Sequence, residues 1–205
     1  MKEVTKPLNP ILETMLEDFS NWFFTQDLSL VKMDGKPDEN EYHTSKEYLD
    51  SIDKKNHIGY PEVTHGVDIM RAGTTPIEWR EQIVGINTKL NHFLGSKFCA
   101  VNMYYPPGGY MGWHNNHNCP GWNILLSYTP FGKGFFRYLD PITQEIVTMP
   151  DKPGWFAKVG YYGHLGEPDK VYWHCARAYG PRLTFGYVIP DESLWEMMVA
   201  DIQAQ

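Results

Sequence analysis

The sequence predicts an α+β domain in which helices come first, a β-rich core of the jelly-roll type follows, and one helix closes the chain. Three observations carry this. Apolar residues recur at helical spacing up to Gly95, and in short punctuated runs from Lys97 onward. Gly and Pro, 18 and 15 of 205 residues, fall in nearly every gap between those runs, as in a sandwich or barrel. Aromatics reach 15%, which suits a core or cleft built from rings. The length fits a single domain over 1–205: a helical and loop portion over 1–96, the jelly-roll core over 97–190, and a C-terminal helix over 191–205.

Asn9-Pro10 reads as a helix start, a capping side chain followed by a residue whose missing N–H costs nothing. Ile11, Leu12, Met15, Leu16, Phe19, Trp22 and Phe23 then mark an amphipathic helix over about 10–25. The stretch 32–57 is polar, with a turn at Gly35-Lys36-Pro37-Asp38 and a short helix after Thr44; with residues up to Met70 it is expected to supply lid loops. Thr75-Pro76-Ile77-Glu78 has the form of a capping box and opens a helix over 76–94, which Gly95 stops. Strands are expected at Phe98–Tyr105, Trp122–Tyr128, Phe135–Leu139, Ile146–Met149, Trp155–Tyr161, Val171–His174 and Leu183–Ile189. A last helix, Glu192 to about Ala204, carries Leu194, Met197, Met198 and Ile202.

Eighteen basic against 25 acidic residues give a net charge of −7, a poor basis for sequence-independent nucleic-acid binding, which needs a cationic face. No apolar run approaches about 18 residues, so no membrane span is expected. The N-terminus lacks the apolar core of a signal peptide, and three cysteines (Cys99, Cys119, Cys175) make no full disulfide framework. A reducing, cytoplasmic setting follows as the expectation.

Two histidine clusters carry the candidate chemistry. Trp113-His114-Asn115-Asn116-His117-Asn118-Cys119 follows a Gly-rich turn, and Tyr172-Trp173-His174-Cys175 lies far downstream, ahead of Gly180-Pro181-Arg182-Leu183-Thr184. Two strand-end histidines separated by several hairpins meet only where a sheet folds back on itself, as a jelly roll does. The physical reading is a metal site with imidazoles from opposite strands. A zinc site drawn from His114, His117, Cys119, His174 and Cys175 is the lesser alternative, because no Cys-x2-Cys knuckle is present. His164 and Asp169 lie in a loop before His174 and border the cleft or simply face water.

From about Phe98 to Ile189 the chain resembles the Fe(II)/2-oxoglutarate-dependent dioxygenases of the double-stranded β-helix (jelly roll) fold. Their motif is His-x-Asp/Glu, a distal His, and an Arg or Lys on the last core strand. His114 matches the first histidine and His174 the distal one. Arg182 matches the cation that pairs with the far carboxylate of 2-oxoglutarate, with Thr184 completing an Arg-x-Ser/Thr pattern. Asn102-Met103-Tyr104 is similar to an Asn-x-Tyr whose side chains touch the cosubstrate in some members, and Tyr128 is a further ring expected along it. The resemblance implies Fe(II) and 2-oxoglutarate as cofactors and hydroxylation or demethylation as the reaction. The substrate would be a small molecule or a protein side chain.

The carboxylate position holds Asn116 instead of Asp. An amide oxygen is a weak, neutral ligand and leaves the metal one positive charge richer. Three accounts stay open. Asn116 ligates through its carbonyl, or leaves the slot to water or another anion, as branches of the family that lack this carboxylate do. His117 replaces it, giving a three-His site. Or the protein is a catalytically degenerate jelly-roll binding module that keeps the pocket without the chemistry.

Overall fold

A computed structural model of the chain describes residues 1–164 and 166–204. Its first helix, α1 (Pro10–Phe24), begins where the Asn9 side chain accepts from the Ile11 N–H, and it buries Leu12, Leu16, Phe19 and Phe23. α3 (Arg80–Leu94) ends at Gly95, whose φ of 58° is the left-handed turn that glycine adopts without a Cβ penalty. Its start departs from the expected capping box. A single 3-10 turn, Ile77–Trp79, precedes the helix, and no side chain caps it. Trp79 is thereby turned inward, against Trp22 and Phe23 of α1.

Among the described residues eleven strands form two antiparallel sheets. They are β1 (Lys2–Glu3), β2 (Thr64–His65), β3 (Val67–Asp68), β4 (Phe98–Tyr105), β5 (Tyr110–His114), β6 (Gly121–Thr129), β7 (Gly134–Leu139), β8 (Ile146–Pro150), β9 (Gly154–Tyr162), β10 (Trp173–Ala178) and β11 (Arg182–Ile189). The larger sheet runs β1-β9-β6-β11-β4-β3 and the smaller β2-β5-β10-β7-β8. From β4 onward the chain alternates between the sheets, the β7–β8 hairpin apart, so the two face each other across a shared interior.

Residue parity decides what faces that interior. On β4, Val101 and Tyr105 look inward with Arg182, Thr184 and Leu125 from neighbouring strands. The alternate residues Tyr104, Leu183, Phe185, Leu126 and Val159 look outward and join the core formed with α1, α3 and α4 (Glu192–Asp201). Full burial of each such Leu or Phe contributes about 1.5–3 kcal/mol. In α4 the buried residues are Trp195 and Met198, while Leu194 and Met197 of the expected stripe are 42% and 62% exposed.

Two stretches differ from the sequence expectation. Tyr110–His114, absent from the expected strands, is a strand, because β2 and β10 pair with it from both sides. The strand expected at Val171–His174 instead runs Trp173–Ala178, in the middle of the smaller sheet between β5 and β7. Part of the expected lid is a wall. The short helix α2 (Lys46–Ser51) lies outside the smaller sheet, where Leu49 covers Trp113, Phe135, Trp173 and Cys175. Trp113 donates to the Ser45 carbonyl at 2.8 Å, and Arg177 to the Asp38 carbonyl at 2.7 Å. That face is too apolar to be left in water. Among the described residues no helix is long and apolar enough to cross a membrane.

Candidate active site

His114 ends β5 and His174 is the second residue of β10, and the two are direct cross-strand partners. Their ring centroids lie 4.0 Å apart and both side chains are buried. Each ring bends back over its own strand in the same way. His114 Nδ1 lies 2.9 Å from the Gly112 carbonyl, and His174 Nδ1 lies 2.8 Å from the Tyr172 carbonyl. A carbonyl only accepts, so both Nδ1 atoms carry the proton and both Nε2 atoms keep a lone pair. Burial, and secondarily the charge of His174, holds His114 well below the ordinary histidine value; burial pushes His174 down to about 4. The pair is therefore neutral at pH 7, the state in which imidazole binds a metal.

Asn116 lines the same cavity, half-buried, in a left-handed conformation with φ of 56°. Its N–H donates to the Gly59 carbonyl at 2.8 Å, and its own carbonyl accepts from Cys119. The loop around Gly59 is what seats this turn: a Cβ at Gly59 would come within 2.5 Å of the Asn118 nitrogen. His117 and Cys119 do not join the histidine pair. Among the described residues no three His, Cys, Asp or Glu side chains are placed to hold a metal. That geometry offers neither the zinc cluster nor a three-His set. Cys175 turns outward, its sulfur toward the Thr44 carbonyl.

At the other end stands Arg182, the first residue of β11, 2% exposed. Its Nε is 3.1 Å from Asp151 Oδ2 and its Nη2 is 3.4 Å from Ser127 Oγ, which in turn meets Thr184 Oγ1 at 3.3 Å. The Nε contact is an ion contact out of line for a hydrogen bond, so both Nε and Oδ2 stay without one. Between the ends the walls are Val101, Tyr105, Met111, Leu125, Phe136 and Tyr162, around a cavity of about 40 Å³. The Tyr162 ring lies 4.7 Å from that of His174, and its buried hydroxyl has no partner among the described residues.

Three sequence-expected cosubstrate residues lie elsewhere. Tyr104 packs on Phe23 at 5.3 Å, Tyr128 on Phe24 at 5.4 Å, and the Asn102 amide donates to Cys99 Sγ at 3.0 Å. All three belong to the outward set of the larger sheet, because Arg182 and Thr184 are in register with Tyr105 and Met103. His164 and Asp169 are exposed.

Sequence reasoning missed Tyr162, Asp151 and Lys158. Lys158 is 1% exposed, in register with the cavity residue Leu125, with its ammonium 3.4 Å from Asp151 Oδ1. Its signal was a lone cation inside the apolar strand Trp155–Tyr161.

The donor set fits a divalent metal and an anionic oxo acid. His114, His174 and Asn116 line the same cavity as Arg182 and as Tyr162, whose buried hydroxyl lacks a partner among the described residues.

No family model and no curated protein sequence matches this chain. Among solved structures, it is similar to a prolyl-4-hydroxylase of Pseudomonas putida, 13% identical over 92% of this chain and 91% of that one, with a TM-score of 0.44. A prolyl hydroxylase from Trichoplax adhaerens, in complex with a hypoxia inducible factor oxygen degradation domain peptide, is 12% identical over 96% of this chain and 86% of that one, with a TM-score of 0.44. A viral collagen prolyl hydroxylase from Paramecium Bursaria Chlorella virus-1, in its 2OG complex, is 17% identical over 68% of this chain and 85% of that one, with a TM-score of 0.33.

Proposed function

We propose that the two facing sheets are a double-stranded β-helix and that the chain is an oxidoreductase, an Fe(II)- and 2-oxoglutarate-dependent hydroxylase or demethylase. The observation that carries this reading is the cross-strand pair His114 and His174. Both Nδ1 protons are spent on backbone carbonyls, and both Nε2 lone pairs remain for one ion.

His114 and His174 would hold Fe(II), with the Asn116 amide oxygen as the third, neutral ligand. When bound, iron supplies the O₂ activation that couples decarboxylation of the 2-oxo acid to oxidation of a C–H bond. Arg182 orients the acid by its far carboxylate, with the Ser127 and Thr184 hydroxyls beside it. Tyr162 offers its hydroxyl as a donor next to His174. Val101, Leu125 and Phe136 exclude water and strengthen each polar contact by lowering the local dielectric. The substrate, a small molecule or a protein side chain, enters past Asn116.

The test is Fe(II)-dependent conversion of 2-oxoglutarate to succinate by the parent and by His174→Ala. Succinate formed by the parent and lost in the variant supports the reading. Binding of 2-oxoglutarate without any succinate would leave a binding module, and equal background in both proteins would remove the enzyme reading.

A further inference from the structure

Buried beside Arg182, behind the cavity wall, is more charge than a single clamp needs. Two cations, Arg182 and Lys158, share one carboxylate, Asp151, and the side chains of all three are at most 3% exposed. Lys158 Nζ has one oxygen in reach, at 3.4 Å, and otherwise lies over the rings of Phe156 at 4.2 Å and Phe136 at 5.9 Å. Phe136 is a wall of the cavity. An ammonium has three donors and a guanidinium five, whereas the oxygens that reach them are the two of Asp151 and the hydroxyl of Ser127. The cluster is short of acceptors and carries one net positive charge in a dry interior, where an unbalanced ion is costly. Burial, partly offset by Asp151 and by Glu3, which faces Lys158 across the β1–β9 pair and is itself ion-paired to Lys152, and reinforced by Arg182, pushes Lys158 down to about 8, so the ammonium persists at neutral pH.

We propose that Lys158 is a second cosubstrate-binding cation beside Arg182, and that Asp151 is a positioning residue that holds both cations and trims the recess to one positive charge, matched to one carboxylate. This rests on the 2-oxoglutarate reading above. Arg182 alone, paired to Asp151, is electrically neutral; Lys158 is the group that makes the recess an anion site. Asp151 lies in the turn between β8 and β9, where its N–H donates to the Gly134 carbonyl at 3.0 Å, so it is tied to the framework and does not follow a ligand.

The experiment compares 2-oxoglutarate with its C5 amide, 2-oxoglutaramate, by calorimetric titration of the Mn(II)-loaded protein, in which turnover is blocked. The parent should prefer the carboxylate by tenfold or more. Lys158→Met should bring the two affinities within about twofold of each other, with Mn(II) affinity in the absence of either acid unchanged; Lys158→Arg should keep the preference. A structural role for Lys158 would weaken both ligands alike and leave the ratio intact, and that outcome overturns the proposal. If Lys158→Met does not fold, Asp151→Asn carries the test: it keeps both cations and should widen the preference, and an unchanged ratio overturns the proposal equally. A parent that binds neither acid refutes the function proposed above instead, whereas a parent that binds both with no preference refutes only the charge matching.

Discussion

The two ends of the cavity solve the burial of polar groups in opposite ways. At the β5/β10 end two imidazoles are buried uncharged, each with one nitrogen satisfied by a carbonyl two residues back on its own strand. At the β11 end three ions are buried together, drawn from β9, β11 and the turn before β9. The first arrangement is local, needs only the strand it stands on, and leaves directed lone pairs. The second is long-range and leaves an unbalanced charge. A directional ligand suits the first and a diffuse anion suits the second, and under the proposed function their separation would let one cavity hold both.

The largest expected effect falls at the neutral end. His114→Ala or His174→Ala should each abolish stoichiometric Fe(II) binding in equilibrium dialysis under argon. Metal content unchanged in both would place the ion elsewhere.

Next comes pH, to which the two ends respond in different windows in the metal-free protein. His174 is lowered from 6.5 to about 4, and Lys158 from 10.5 to about 8. In each window the unfolded chain holds a proton that the folded chain does not, so stability falls as pH falls through it. At ~1.4 kcal/mol per unit, each step is on the order of 3 kcal/mol. Urea midpoints should therefore drop as pH falls from 6.5 to 4, where His114 adds to the His174 step, and between pH 10.5 and 8 the Lys158 step runs against the opposite slope of Cys99 and Cys175, whose thiols burial pushes up. Lys158→Met should remove the upper step alone, and a profile that keeps that step in the variant would contradict the assignment.

Asn116→Asp is a smaller change at the first end. A carboxylate neutralises one charge beside the ion and should tighten Fe(II) by roughly tenfold, about 1.4 kcal/mol. Fluorescence-monitored metal titration reads this directly, and an unaltered affinity would mean that position 116 does not touch the metal. The smallest effect is expected on the far side of the larger sheet. Tyr104→Phe and Tyr128→Phe should leave 2-oxoglutarate affinity unchanged and cost stability no more than about 1 kcal/mol. A loss of cosubstrate binding in either would show that the outward parity is wrong.

That parity also explains how far the sequence could be read. α1, β4 and β11 were legible to within a residue or two at each end, because their periodicity is clean and Gly, Pro or a capping Asn bounds them. The histidine pair was legible from its order and from the Arg that follows. Asn102, Tyr104 and Tyr128 were misread as cosubstrate contacts because a motif names residues without fixing which face of the strand is inward. The register of Arg182 against Tyr105 fixes it, and that register exists only once the strands pair. Lys158 was readable in principle, since it shares its strand face with Tyr162, two alternations along β9. Asp151 was not. It stands in a turn 31 positions before Arg182, where an aspartate is ordinary, and nothing local marks it as buried.

The central claim is that one cavity holds Fe(II) at the histidine pair and 2-oxoglutarate between that pair and Arg182. Its most direct test is an anaerobic absorbance titration: Fe(II) first, then 2-oxoglutarate. The account predicts a weak visible charge-transfer band that grows with the acid to one equivalent, is absent from His174→Ala, and is weakened in Arg182→Met at the same concentrations. No band in the parent, or a band of equal strength in His174→Ala, would contradict it.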